Sequence, residues 1–422
     1  MRSRTIWPLA LLALAACQRE VICPAGELVC AGACRTVEVD AANCGACGNA
    51  CAAGEACRAG ACTDCASACA AGRCVAGICT PDLYVACFAT DDVRGVNADL
   101  ALVGPPVAVD QGPISLATLG GKTWVSHSLG PPTVVGFAPG DSSLTRHELG
   151  GGDLEAVRAH GSLLFVSNSS VSTLDAVDPS GGLVDVIPLW RTAGVMENPH
   201  GIAFVNQRAF VALYGDAIAP TFAKGQAIAV VDVLGSLACP SGACGQVLGW
   251  ISLQGVAGAY DPPGFPFPSD AVAVGDRVYV TLANLKQGAY GYYTDPAGSG
   301  RLAVVDTAGA DALSIVDLGA TCTNPSGMAV SGATIWVACG SGPVVPVDVS
   351  GAAPAVGAPV ATGVVPGNVA VCGGLGYVTD QYSGSVVRFD PSGVRPISSV
   401  AVCPVSSTAG FAFASGVACA PF

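Results

Sequence analysis

The feature that most constrains this chain is an internal repeat. Five segments share a thirteen-residue frame that opens on Pro and closes on Val: Pro113–Val125, Pro199–Val211, Pro268–Val280, Pro325–Val337 and Pro366–Val378. Leu154–Val166 fits the frame without its Pro, and a degenerate copy begins near Thr408. Each frame reads as an apolar strand, a tight polar or Gly turn, and an aromatic-Val strand, the pattern of a β-hairpin. A second strand pair follows most frames, and its first member ends on a recurrent Asp: Asp178, Asp232, Asp306, Asp348 and Asp390. Asp at a turn entrance accepts hydrogen bonds from backbone N–H groups two residues on, so these five are expected to be architectural. Frames that start 41 to 69 residues apart, each heading four antiparallel strands a to d, specify an all-β propeller. With 55 Gly and 29 Pro in 422 residues, the chain is punctuated too often for long helices.

The expected count is seven blades, with six or eight as the alternatives. The chain ends inside its last frame, so Phe411–Cys419 is expected to supply strands a and b of a composite blade. Leu83–Phe88 and Pro105–Val109 would supply its strands c and d, closing the ring and removing free sheet edges. The strand ends Phe165-Val166-Ser167-Asn168, Tyr279-Val280-Thr281 and Tyr377-Val378-Thr379-Asp380 resemble those of the YVTN-type propeller family. That resemblance spans roughly residues 82–422; it implies the fold and no particular activity.

The first residues set the expected compartment. Arg2 and Arg4 precede an apolar stretch, Ile6 to Ala16, that is too short to span a bilayer as a helix. It runs into Leu14-Ala15-Ala16-Cys17, which resembles a bacterial lipobox. This implies a signal peptide over 1–16, lipidation of Cys17 and a short linker over 17–22. The expected location is the cell envelope: an outer-membrane-anchored lipoprotein, periplasmic or surface-exposed. The formal charge of −13 becomes −15 once Arg2 and Arg4 are removed. With only 18 Lys and Arg, the chain lacks the basic patch that nucleic-acid binding requires.

The chain has 21 cysteines. Twelve of them lie between Cys23 and Cys79, in a segment with few large apolar residues. Such a segment cannot build a core and needs covalent staples, so residues 23–80 are expected to form a disulfide-rich stalk ahead of a propeller over 82–422. The pairs Cys44/Cys47 and Cys62/Cys65 also have zinc-knuckle spacing, but the segment lacks His and an exported chain meets an oxidising compartment. The run from Asn43 to Cys51, continuing through Gly54, Cys57, Gly60 and Cys62, resembles the Stig1-type cysteine-rich repeat. That likeness implies no activity, and pairing within the stalk is not readable. In the propeller, Cys322/Cys339 and Cys403/Cys419 flank successive frames and are expected to pair, as are Cys239/Cys244 across a short turn. Elimination then leaves Cys87 with Cys372; a ring-closing Cys87–Cys419 bond is the alternative.

Two candidate sites follow from the topology. Loops b–c and d–a lie on one face, and the long ones, 214–226, 254–268 and 283–301, carry Tyr214, Phe222, Tyr260, Phe265, Phe267, Tyr290, Tyr292 and Tyr293. Aromatic loops on a rigid scaffold suit ligand binding; the alternative is that they pack the loops onto the propeller. The starts of the a strands place Glu155, His200, Asp270 and Asn368 at the mouth of the central channel, with Ser115, Gly201, Gly327 and Gly410 at comparable positions. Carboxylates with Asn and His could hold a divalent cation such as calcium, as in propeller lactonases of similar shape. The reading reached from sequence is a lipid-anchored, non-catalytic binding platform without a cofactor, with an envelope protein or extracellular ligand as partner. The alternatives are a metal-dependent lactonase or esterase and a purely structural envelope protein.

Overall fold

The computed structural model describes residues 23, 27–52, 54–64, 73–75, 78–139, 143–215, 223–237, 244–289, 291–393 and 397–421. The signal peptide, Cys17, Phe222, Cys239 and Tyr290 therefore lie outside the described residues. Seven antiparallel sheets are arranged around one axis. Their innermost a strands are Pro113–Leu119, Leu154–His160, Pro199–Val205, Pro268–Val274, Pro325–Ser331, Pro366–Cys372 and Ala414–Cys419, for blades one to seven. All six complete hairpin frames form strands a and b as expected. Among the described residues the one α-helix, Leu234–Leu237, is four residues long, and no helix is long and apolar enough to cross a membrane.

Blade seven is composite, but it is divided differently from the expectation. The C-terminal strand Ala414–Cys419 supplies only strand a, and the N-terminal segment supplies three: Leu83–Cys87, Asp92–Val96 and Leu102–Ala108. Cys419 pairs with Leu83 in register, so the strand beside Ala414–Cys419 is Leu83–Cys87. Leu83-Tyr84-Val85-Ala86-Cys87 has the aromatic-Val signature of strand b, like Ile335-Trp336-Val337-Ala338-Cys339, so its place was legible.

Each blade buries its apolar faces against its neighbours, and seven apolar clusters fill the seven inter-blade seams. Trp124 and Val134 meet Leu154 and Leu164 between blades one and two. Phe165 and Leu174 meet Val211 and Ala229 between two and three, and Phe210 and Ile228 meet Val278 and Val280 between three and four. The ring-closing seams are built likewise: Tyr377 and Val386 meet Val85 and Val417, and Tyr84 and Val93 meet Val125 and Phe137. The alternating side-chain directions of each strand feed two seams at once, so no blade has a core of its own.

All five recurrent Asp residues make the turn contact expected of them. Asp178, Asp232, Asp306, Asp348 and Asp390 each accept from the N–H two residues on, at 2.8–3.2 Å.

The stalk consists of three short hairpins and four described disulfides: Cys23–Cys34, Cys30–Cys47, Cys44–Cys57 and Cys51–Cys62. Those sulfurs are committed to one another, which leaves no thiolate at the proposed knuckle positions Cys44, Cys47 and Cys62. Its last hairpin, Arg73–Val75 with Ile78–Thr80, is tied to blade seven. Arg73 pairs with Asp82 at 2.7 Å, and Asp82 accepts from the Ala98 N–H at 2.7 Å.

In the propeller Cys322–Cys339 forms as expected. Cys403–Cys419 and Cys87–Cys372 do not form: Cys403 bonds Cys87 and Cys419 bonds Cys372. The physical reason is the one-plus-three closure. Cys322 and Cys403 both precede a strand a, and Cys339 and Cys87 both end a strand b, so the two bonds are equivalent once Leu83–Cys87 is recognised as strand b. Cys372 and Cys419 end adjacent a strands. Cys244 is disulfide-bonded, and its expected partner lies outside the described residues.

Candidate functional site

The a strands share a local defect that builds the site. In all seven blades the a–b register shifts at the start of strand a: at Pro113/Ser115, Leu154/Ala156, Pro199/Ile202, Pro268/Ala271, Pro325/Gly327, Pro366/Val369 and Ala414/Gly416. A bulge frees residues from the ladder and re-aims their side chains. The residues so freed are Ile114, Glu155, His200, Gly201, Ser269, Asp270, Ser326, Gly367, Asn368 and Ser415, and every one lines a cavity of about 310 Å³ at the channel mouth. Glu155, His200, Asp270 and Asn368 are thus brought together, with Ser115 and Gly201. Gly327 and Gly410 are not in the lining. Ser326 takes the place expected of Gly327, and Gly410 lies in the loop before strand a of blade seven.

Hydroxyl groups on strand b support the bulges. The N–H groups of Asp270 and Asn368 donate to Thr281 and Thr379 at 2.8 and 2.9 Å, and the Ala156 N–H donates to Ser167 at 2.9 Å. The hydroxyl after the aromatic-Val pair is therefore the residue that stabilises the mouth. Sequence reasoning had that motif in hand and read it only as a fold marker.

A belt of hydrogen bonds joins neighbouring a strands. Ser115 Oγ accepts from Val157 N between blades one and two. Ser269 donates to Pro325 O and Asp270 accepts from Met328 N between four and five. Ser326 donates to Gly367 O between five and six, and Ser415 to Pro113 O between seven and one. Between three and four the strands touch directly: a Cβ on Gly201 would collide with the Asp270 backbone, so only Gly permits this approach. Arg158, which sequence reasoning missed, crosses the channel from blade two to blade four. Its guanidinium pairs with Asp270 at 3.2 Å and donates to Ser115 Oγ and Val157 O.

Between blades two and three the belt is replaced by Glu155 and His200, whose charged atoms are 3.9 Å apart, each side chain about one-fifth exposed. Burial pushes the Glu155 carboxyl up to about 7 and the His200 imidazole down to about 4, the latter against the pull of Asp153 and Asp270. At neutral pH His200 is therefore uncharged. Its Nε2 lies 3.2 Å from Asn198 Oδ1, and its ring stacks on Tyr214 at 4.5 Å.

The metal quartet is assembled but largely engaged. Asp270 Oδ1 accepts from Arg158 and Ala271 N and its Oδ2 from Met328 N, while Asn368 Oδ1 accepts from Val369 N. Among the described residues, groups of three His, Cys, Asp or Glu ligand atoms close enough to share an ion occur only in the stalk, on disulfide-bonded cysteines joined in one group by Glu27.

The aromatic loops mostly pack on one another. Phe267 is fully buried, and Tyr214, Phe265 and Tyr293 pack around it, Ala283 and Leu285. Tyr260 stacks on Phe265, and Lys224 Nζ sits 4.7 Å from the Tyr293 ring. Tyr292 is exposed, and Tyr214 alone of the group lines the mouth. The cluster thus buttresses His200 through Tyr214. On the opposite rim Tyr382, Val405 and Phe411 are exposed beside the mouth residues Gln381 and Phe413.

The model of the Stigma-specific STIG1-like protein family matches residues 13–64, a stalk segment. No curated protein matches the chain. Among solved structures, the chain is similar to one from the nidogen/laminin complex (11% identity, 80% of this chain and 97% of that one, TM-score 0.44). It is also similar to apo AztD from Citrobacter koseri (13%, 81% and 88%, TM-score 0.44) and to the WD40 β-propeller domain of Doa1 (11%, 71% and 86%, TM-score 0.49).

Proposed function

We propose that this protein is an exported, lipid-anchored binding protein of the YVTN propeller type. In this reading Cys17 carries the lipid, the disulfide-rich stalk holds the propeller off the membrane, and the b–c/d–a face receives a ligand at the channel mouth. The disulfides suit an oxidising compartment. The observation that carries the reading is the convergence of seven bulges on one polar cavity with a partly apolar rim, a concave, pre-formed arrangement typical of ligand sites. Binding is favoured over metal-dependent hydrolysis because Asp270 already spends its oxygens on Arg158, Ala271 N and Met328 N, and Asn368 its oxygen on Val369 N. The test is to screen the soluble ectodomain, residues 18–422, against peptide and glycan arrays beside Gln381→Trp, which would fill the mouth. Capture lost in the variant supports the site; capture equal in both removes the mouth as the binding locus. Retained membrane fractionation in Cys17→Ser would remove the anchor.

A further inference from the structure

Within that binding reading, the break in the belt identifies the chemistry of the ligand. The cationic and serine hydroxyl donors of the mouth are spent within the protein, and the neutral amides of Asn324, Asn368 and Gln381 also line it. Its cation, Arg158, is spent on Asp270, Ser115 and Val157 O. The hydroxyls of Ser269, Ser326 and Ser415 donate to the backbone carbonyls of the next blade. Glu155 remains: a bulge carboxylate facing the cavity and about one-fifth exposed, with no hydrogen-bond donor reaching it among the described residues and the uncharged His200 3.9 Å away. Asp153, two residues earlier, adds negative charge to the same corner, and Asp270 is already neutralised by Arg158. A carboxylate held out of bulk water with neither donor nor counter-charge is costly, and a ligand that brings both removes that cost. We propose that the channel mouth binds an alkylammonium group, with Glu155 as its counter-ion and His200, fixed by the Tyr214 stack, as the neutral wall beside it. A metal ion would need several free oxygen ligands, and of the two carboxylates in this corner only Glu155 lines the cavity; an ammonium group needs one carboxylate and a few acceptors. The same group is carried by free amines and by lysine side chains.

The test is saturation-transfer NMR on the folded ectodomain with n-butylammonium and butan-1-ol as probes, and calorimetric titration of the same protein with Ca²⁺. At pH 8 the ammonium should bind at least tenfold more tightly than the isosteric alcohol, and Glu155→Gln should abolish that preference. The preference in wild-type protein should also decline between pH 8 and pH 6. The groups facing Glu155 are Asp153, His200, Arg158 and Asp270; Glu155 itself loses its charge in that range as its burial-raised pKa of about 7 is crossed. Equal binding of ammonium and alcohol overturns the proposal, as does a preference that persists in Glu155→Gln or does not decline with pH. Glu155-dependent Ca²⁺ binding without ammonium binding overturns it in favour of a metal site. If Glu155→Gln does not melt cooperatively, the wild-type pH series decides. A lysine tripeptide that binds more tightly than n-butylammonium assigns the group to a protein partner, and the reverse to a free amine. Array capture that stays while the ammonium preference is missing fails this proposal alone; no capture by wild-type protein fails the binding reading itself.

Discussion

The stalk and the propeller solve the same problem by different means. Among the described residues of the stalk the buried apolar side chains are few, Val37 and Ala56 beside Cys30, Cys44 and Cys57, and the four disulfides with both partners described close loops of 11 to 17 residues. In the propeller seven seams of Val, Leu, Ile and aromatic residues carry the fold, and disulfides appear at only a few places. Cys87–Cys403 ties an N-terminal strand of blade seven to the loop leading into its C-terminal strand, and Cys372–Cys419 joins blade six to that composite blade. Covalent bonds thus replace a core where the chain is too small and polar to have one. They also reinforce the ring where the sheet is completed by distant segments.

Reduction should break this comparison open. With all disulfides reduced the stalk should unfold, and limited proteolysis should leave a resistant fragment starting near residue 80; a stalk still resistant would mean that it has a core. Within the propeller, the Cys87→Ala/Cys403→Ala pair should cost about 5 kcal/mol and the Cys322→Ala/Cys339→Ala pair about 3 kcal/mol by loop-closure entropy, as read from urea unfolding. The sequence separations are 316 and 17 residues. Phe210→Ala, at the seam of blades three and four, should cost about 3–5 kcal/mol, whereas Val37→Ala in the stalk should cost about 1–2 kcal/mol. Similar losses at the two positions would erase the distinction. Asp178→Ala removes a surface turn contact and should cost less than about 1 kcal/mol in the same assay.

The smallest effect is a pH dependence of the propeller, carried by Glu155 and His200. Glu155 is raised to about 7 in the fold, so the folded state holds a proton that the unfolded state has lost, and its contribution falls as pH rises from about 4.5 to 7. His200 is lowered to about 4, so the unfolded state holds the extra proton and its contribution rises from about pH 4 to 6.5. The two slopes oppose each other. Glu155→Gln should make stability rise more steeply with pH over 4.5–6.5, and His200→Gln should make it fall there. Parallel urea midpoints across that range for all three proteins would show that neither group is displaced.

Much of the fold was legible because a propeller repeats. The six frames, the recurrent Asp turns and the Cys322–Cys339 bond each had several copies or neighbours to be checked against. Blade seven was misdivided because its a strand lies about 330 residues from its b strand, so no local pattern shows which pieces meet. That error carried into the cysteines: equivalence between blades was the right rule, applied to Cys419 where Cys87 holds the equivalent place. At the site, Glu155, His200, Asp270 and Asn368 were found from strand starts alone, whereas Arg158 was not, because its partner Asp270 is two blades away. The aromatic loops were found too, but burial separates Phe267, which packs, from Tyr214, which faces the mouth.

By itself, then, the sequence determined what is periodic: the four-stranded unit, its turns and the positions that start each inner strand. Those follow from short-range pattern and backbone chemistry. Only the tertiary structure decided which cysteines bond, which acceptors the belt consumes and which carboxylate it leaves unserved. Those outcomes depend on seven strand starts meeting on one axis, and residues more than a hundred positions apart compete there for the same hydrogen bonds.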